Sequence, residues 1–184
     1  MSFLLPVDDE LSLRLIEPRH AEQIFAVVDA NREHLDAWMP WVHKTQSVDD
    51  LRAWAREACG NLGRQEDLQL SIMVGGEIAG GVGLHGLSDP SGSAETGYWL
   101  AADREGHGYV SRCCRFLINY GFAEFDLRRV YLWADARNAR SRAVAERLGM
   151  RQEAELKQDF KTHHGEYRDS VLYAILRDEW KRGA

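Results

Sequence analysis

Glu95-Thr96-Gly97-Tyr98-Trp99-Leu100, followed after Ala101 to Arg104 by Glu105-Gly106-His107-Gly108-Tyr109-Val110, is the stretch whose reading decides the fold. An apolar strand enters a loop with two glycines, and that loop opens an amphipathic helix. Val110, Cys114, Leu117, Ile118, Gly121, Phe122 and Phe125 fall on one helical face. A strand, a bare-backbone loop and a helix N-terminus in that order gather free N–H groups and the positive end of a helix dipole at one place. Such a place suits a phosphate or pyrophosphate. Gly106 and Gly108 carry no Cβ, so an anion can approach the backbone closely. Read alone, the same glycines also describe a plain tight turn.

The residues on either side extend this unit in both directions. Upstream, Leu11 to Ile16 alternates as a strand, and Pro18 stands where a helix with Ile24, Phe25, Val27 and Val28 on its buried side can begin. Ser47-Val48-Asp49-Asp50 has the form of a capping box before Leu51, Trp54, Ala55, Ala58 and Leu62. Leu68 to Val74, Gly75-Gly76 and Glu77 to Leu84 read as a hairpin, and residues 87–93 as a loop before a strand at 94–101. Downstream, Arg129 to Ala134 is a strand, Asn138 caps a helix with Ala143, Val144, Arg147 and Leu148, and Gly149 ends it. Residues 151–160 and 167–177 form a closing antiparallel pair around His163-His164-Gly165. The expectation is a mixed α/β fold: a central, mostly antiparallel twisted sheet, a strand-helix-strand-helix core and flanking helices.

Composition removes several function classes. The 184 residues suit one domain, 1–184, with no linker or repeat to divide them. Hydrophobic content of 45% and charged content of 28% are ordinary for a globular chain. A net charge of -6, from 23 Lys+Arg against 29 Asp+Glu, argues against nucleic-acid binding, which needs a basic footprint. No apolar run approaches the ~20 residues of a membrane span. Met1 to Pro6 lacks a basic region and meets Asp8-Asp9-Glu10 at once, so it does not read as a signal peptide. Asp8-Asp9-Glu10 is most simply a solvated run. Cys59, Cys113 and Cys114 form neither a disulfide framework nor a zinc pattern. A reducing cytoplasmic setting is expected, without a metal. His163 and His164 lie in a turn with no further ligand at suitable spacing.

The order and identity of these pieces resemble the GNAT acyltransferase superfamily, and within it the RimL-like ribosomal-protein-serine N-acetyltransferase branch. The resemblance rests on Leu13-Arg14-Leu15, Asn31-Arg32-Glu33-His34-Leu35 with Trp38 and Trp41, and the stretch 95–100. It continues through Gly106-His107-Gly108, Asn138 with Ser141, Leu148-Gly149-Met150 and Asp169 to Trp180, covering nearly the whole chain. It implies a single GNAT-like domain, acetyl-CoA as cosubstrate and an amine acceptor. The family's loop reads Gln/Arg-x-x-Gly-x-Gly/Ala, whereas here Glu105 and Val110 occupy its first and last positions. By this resemblance Tyr98, Trp99 and Leu100 carry backbone for the pantetheine amides, and Gly106, His107, Gly108, Tyr109 and Val110 cradle the pyrophosphate. Asn138 and Ser141 complete the donor side.

Many members carry a Tyr on the helix after the second central strand to protonate the departing thiolate; the matching position here is Ala145. The RimL-like branch places a Ser three residues after the Asn, which is Ser141. The hydroxyl either assists the thiolate or merely completes the helix turn beside Asn138. An amine nucleophile must be neutral, which calls for a base. Glu95 is the first candidate, with a solvated strand carboxylate as the alternative; Asp159, from a late segment where the branch has a Glu, is the second. Trp38 and Trp41 flank Met39-Pro40 in a segment broken by proline. The resemblance places them over the acceptor site; they equally serve to cover a core. The implied reaction is direct attack of an amine on the thioester, on a protein N-terminus such as that of a ribosomal protein. Alternatives are acetylation of a small amine (an antibiotic or polyamine) and a CoA-binding sensor without turnover. The resemblance also allows a homodimer.

Overall fold

In the computed structural model, residues 3–180 are described. Strands β1 (Leu4–Pro6) and β2 (Leu11–Leu15) lead through a 3-10 turn at Pro18–His20 into helices α1 (Ala21–Ala30), α2 (Arg32–Asp36), α3 (Pro40–Lys44) and α4 (Val48–Gly63). Then come β3 (Asp67–Val74), β4 (Glu77–His85), β5 (Ser93–Leu100), α5 (Tyr109–Glu124), β6 (Arg129–Asp135), α6 (Ala139–Arg147), β7 (Arg151–Lys161) and β8 (Tyr167–Leu176). The strands make one mixed sheet in the order β1-β2-β3-β4-β5-β6-β8-β7. Every pairing is antiparallel except that of β5 with β6.

That parallel pairing is short. Ser93, Ala94 and Glu95 pair with Arg129, Val130 and Tyr131, and the ladder stops there. β4 nevertheless stays paired with β5 out to Leu100, and β8 with β6 out to Asp135. Each central strand is therefore held by its outer neighbour while the sheet's twist parts the two. The result is a fork closed at Glu95–Tyr131 and open toward Leu100 and Asp135.

Strand alternation sends side chains to two separate cores. On one face α5 and α6 press Leu117, Ile118, Val144 and Ala145 against Leu84, Ala94, Val130, Leu132 and Val171. Gly121 permits the close approach of α5, since a Cβ there would lie 2.9 Å from Leu127 and 3.0 Å from Leu84. On the other face Ile24, Val28, Leu35, Val42, Leu51 and Ala55 of α1 to α4 gather with Trp41 and Trp99. Glu95 and Gly97 share the face of Trp99.

Three local expectations change. Leu4–Pro6 is an edge strand on β2 that periodicity does not reveal, being only 3 residues long. Pro40 does not end the helical character of its segment; it occupies the first turn of α3, where its missing N–H costs nothing. Asp8 and Glu10 are not a free solvated run: Arg112 of α5 bonds Asp8 at 2.7 Å and Glu10 at 2.8 Å, and the Tyr109 hydroxyl donates to Glu10 at 2.7 Å. Among the described residues no helix is long and apolar enough to cross a membrane.

Candidate active site

The open mouth of the fork meets the loop before α5. Gly106 and Gly108 take φ of 83° and 73°, left-handed conformations that L side chains rarely adopt, and a Cβ at either would meet open space. Gly108 is the N-cap of α5 and no side chain caps this helix. The first-turn N–H groups thus point out of the helix without an internal acceptor. This backbone fits a pyrophosphate. Glu105 turns away from it, bridging to His34 at 3.2 Å and Arg140 at 2.5 Å. It fastens the loop to α2 and α6, a role that backbone chemistry leaves free to the first motif position. His107 is exposed and stacks on Tyr109 at 5.2 Å. Val110 is partly buried against the α5 core.

On the α6 side of the fork, Asn138 caps the helix by accepting from the Ser141 N–H at 3.0 Å. The capping work belongs to Asn138, which leaves the Ser141 hydroxyl available. That hydroxyl lies 2.9 Å from the Tyr98 hydroxyl, which also reaches the Ser141 carbonyl at 3.2 Å. Burial raises the Tyr98 phenol above its ordinary pKa, with Cys114 adding to the rise and the Ser141 bond opposing it. Tyr98 is therefore held as the neutral phenol and shares a hydrogen bond with the Ser141 hydroxyl. Ala145, on the buried side of α6, offers no phenol at that helix position. Trp99 and Leu100 are half-buried, and their backbone lies along the open part of β5.

On the opposite face, Glu95 stands at the closed end of the fork. Asp67, His85, Glu95 and Tyr131 form a cross-strand file over β3, β4, β5 and β6. Burial pushes the Glu95 carboxyl above the usual carboxylate range, and His85 partly offsets this. The half-exposed His85 lies next to Glu95 in this file, 3.8 Å from Asp67 and 3.1 Å from the Gln69 amide. Beyond this file Gly83 pairs with Gly97, and the missing side chains leave room for those of Gln69, His85 and Trp99 to lie across the strands. A Cβ on Gly83 would fall 2.6 Å from the Gln69 amide, and one on Gly81 would fall 2.4 Å from the Trp99 ring.

The remaining sequence candidates are placed as follows. Trp41 meets Trp99 edge-on at 6.0 Å and belongs to the wall and core. Trp38 is exposed, carries Arg168 over its ring at 5.9 Å and borders a cleft of about 470 Å³ with Asn31, His34 and Ala102. Asp159 sits in the irregular part of β7 and accepts the Ser170 hydroxyl at 2.5 Å. Ser170 pairs with Asp135 at the open end of β6, whereas Glu95 pairs with Tyr131 at the closed end. The two carboxylates therefore belong to opposite ends of the fork.

Sequence reasoning overlooked the phenol of Tyr98, the file through His85, and the glycines of β4. Only the last had a visible signal: Gly80-Gly81-Val82-Gly83 inside a strand marks a place of close approach.

Residues 10–151 match the family model described as an acetyltransferase (GNAT) domain. A putative ribosomal N-acetyltransferase of Bacillus subtilis, YdaF, is 32% identical, with 97% of this chain and 98% of the relative covered. The ribosomal-protein-serine acetyltransferase of Escherichia coli is 26% identical over 97% of this chain and 99% of its own. The solved structure of RimL, a ribosomal L7/L12 alpha-N-protein acetyltransferase in complex with coenzyme A, superposes with a TM-score of 0.91 at 24% identity. It covers 96% of this chain and 99% of that one. With the forked sheet and uncapped glycine loop already in place, these likenesses lead to one conclusion: the chain belongs to the GNAT acetyltransferase family, as an N-acetyltransferase.

Proposed function

We propose that this chain transfers the acetyl group of acetyl-CoA to the α-amino group of a protein N-terminus, in a ternary complex. The observation that carries the reading is the fork itself, with an anion cradle at its mouth, the Ser141–Tyr98 pair on one face and Glu95 on the other. Backbone N–H groups of residues 106–110 hold the pyrophosphate, and the unpaired edge of Tyr98 to Leu100 holds the pantetheine amides. The amine enters from the Glu95 side and beside Trp38. Glu95 takes the proton from the attacking nitrogen, directly or through water, and His85 passes it toward solvent. The new C–N bond forms as the C–S bond breaks, and Ser141 donates a hydrogen bond to the departing sulfur.

The two ribosomal-protein relatives support a polypeptide rather than a small amine. The test is thiol release from acetyl-CoA with peptides beginning Ser, Ala or Met, set against a polyamine and an aminoglycoside. The expected result is the highest kcat/KM for a peptide, with one acetyl group on its N-terminal nitrogen. A clear preference for a small amine would replace this acceptor assignment, and tight CoA binding without release for any acceptor would favour a sensor.

A further inference from the structure

Away from the fork, the chain brings together three metal-ligating side chains that no local pattern connects. Asp36 ends α2, and His163 and His164 stand in the turn between β7 and β8, 127 residues on from Asp36 to His163. Nε2 of His163 lies 2.9 Å from Asp36 Oδ2, and Nε2 of His164 lies 3.5 Å from the same oxygen. The ligand atoms all fall within 4.8 Å of one another. Tetrahedral zinc with bonds of about 2.1 Å sets neighbouring donors about 3.4 Å apart, which the 3.5 Å contact matches, while the 2.9 Å contact is a hydrogen bond that would lengthen by about 0.5 Å to admit an ion. As a hydrogen bond only the shorter contact is good; the longer one is at the limit. Both imidazoles thus converge on one carboxylate oxygen, the second without a good hydrogen bond to it.

The surroundings agree. His43 stacks on His163 at 5.0 Å and holds its ring, while the His163 and His164 rings pack 3.8 Å apart. The His163 and Asp36 side chains are 18% and 25% exposed and His164 61%, which leaves a solvent route and an open coordination position. Two imidazoles with one carboxylate select a borderline transition metal over magnesium or calcium.

We propose that Asp36, His163 and His164 form a divalent transition-metal site of the zinc type. A bound ion would tie the β7–β8 turn to the segment bearing Trp38, bracing the rim of the acceptor face without touching the donor side. The site stands independently of the acceptor assignment.

The test uses the untagged full-length protein, stripped with a chelator and titrated with Zn²⁺ alone by calorimetry, with Tm recorded alongside. One ion per chain and a rise in Tm are expected, and Co²⁺ should give the visible bands of a four-coordinate site. His164→Ala and Asp36→Asn should each weaken Zn²⁺ binding by about tenfold or more, while His85→Ala leaves it unchanged. His164 lies in an exposed turn and Asp36→Asn keeps the side-chain shape, so at least one variant retains the fold, as metal-free Tm will show. No saturable binding, or unchanged affinity in either folded variant, would overturn the site.

Discussion

At the residue scale, Ser141 and Glu95 divide the proposed chemistry between two faces of one sheet. Ser141→Ala should lower kcat by roughly 10- to 100-fold while the Kd for CoA changes little, because the hydroxyl acts on charge that develops at sulfur. Tyr98→Phe should lower kcat by less, since it only frees the Ser141 rotor; unchanged turnover in both would remove the pair from the mechanism. Glu95 must be deprotonated to act, and burial raises its pKa. The acidic limb of kcat/KM should therefore lie above the ordinary glutamate range and disappear in Glu95→Gln, whereas Asp159→Asn leaves it in place. The stability sign is opposite to the usual carboxylate case: a raised folded-state pKa favours the native state below the unfolded pKa, and that advantage is lost as pH rises through the folded value. Glu95→Gln should accordingly raise Tm at neutral pH, with the gain fading toward acid. Both residue types were legible in the sequence from family position. Their partners were not: Tyr98 and Ser141 are 43 residues apart, and only the fold aligns them.

At the element scale, the strand-loop-helix unit was readable because its periods change from two to 3.6 across a glycine loop. The helix that the apolar face outlines runs over Tyr109–Glu124, and the capping signals of Ser47 and Asn138 appear as hydrogen bonds. The fork was not readable. Hydrophobic alternation specifies faces, but the length of a parallel ladder depends on the outer strands and on twist. The same holds for β1, too short for any period to register. A Gly108→Ala substitution tests the loop. The left-handed φ would cost about 1 kcal/mol in place, yet the new methyl meets no atom within 4 Å, so the fold survives. The methyl would project into the open space beside the proposed pyrophosphate cradle, so calorimetry should show CoA affinity reduced about tenfold; affinity equal to that of the parent chain would disprove backbone recognition there.

At the scale of the whole molecule, the sheet separates the proposed donor side, under α5 and α6, from the proposed acceptor side, under α1 to α4. Arg112 ties the acidic start of the chain to α5, and Asp8 and Glu10 are both held below their ordinary carboxylate range. For Asp8 the burial that raises its pKa is outweighed by backbone bonds from Glu10 and Leu11 and by Arg112; for Glu10 the Arg112 bond leads. Such pairings between distant segments lie beyond a one-sequence reading, and so does the Asp36–His163 contact. The two adjacent cysteines of α5 are poorly placed for a thiol route. Cys113 and Cys114 are fully buried, burial pushes the Cys113 thiol up to about 12, and that of Cys114 is raised as well. Alkylation of the native protein at mildly alkaline pH should spare both; labelling of either without unfolding would contradict this.

The central claim is direct transfer between two substrates held together across the fork. Initial rates of thiol release, with acetyl-CoA and a Ser-initiated peptide varied in turn, test it most directly. Peptide-dependent release with intersecting double-reciprocal lines is the predicted result. Parallel lines, together with an acetyl group on the enzyme when the peptide is withheld, would contradict it.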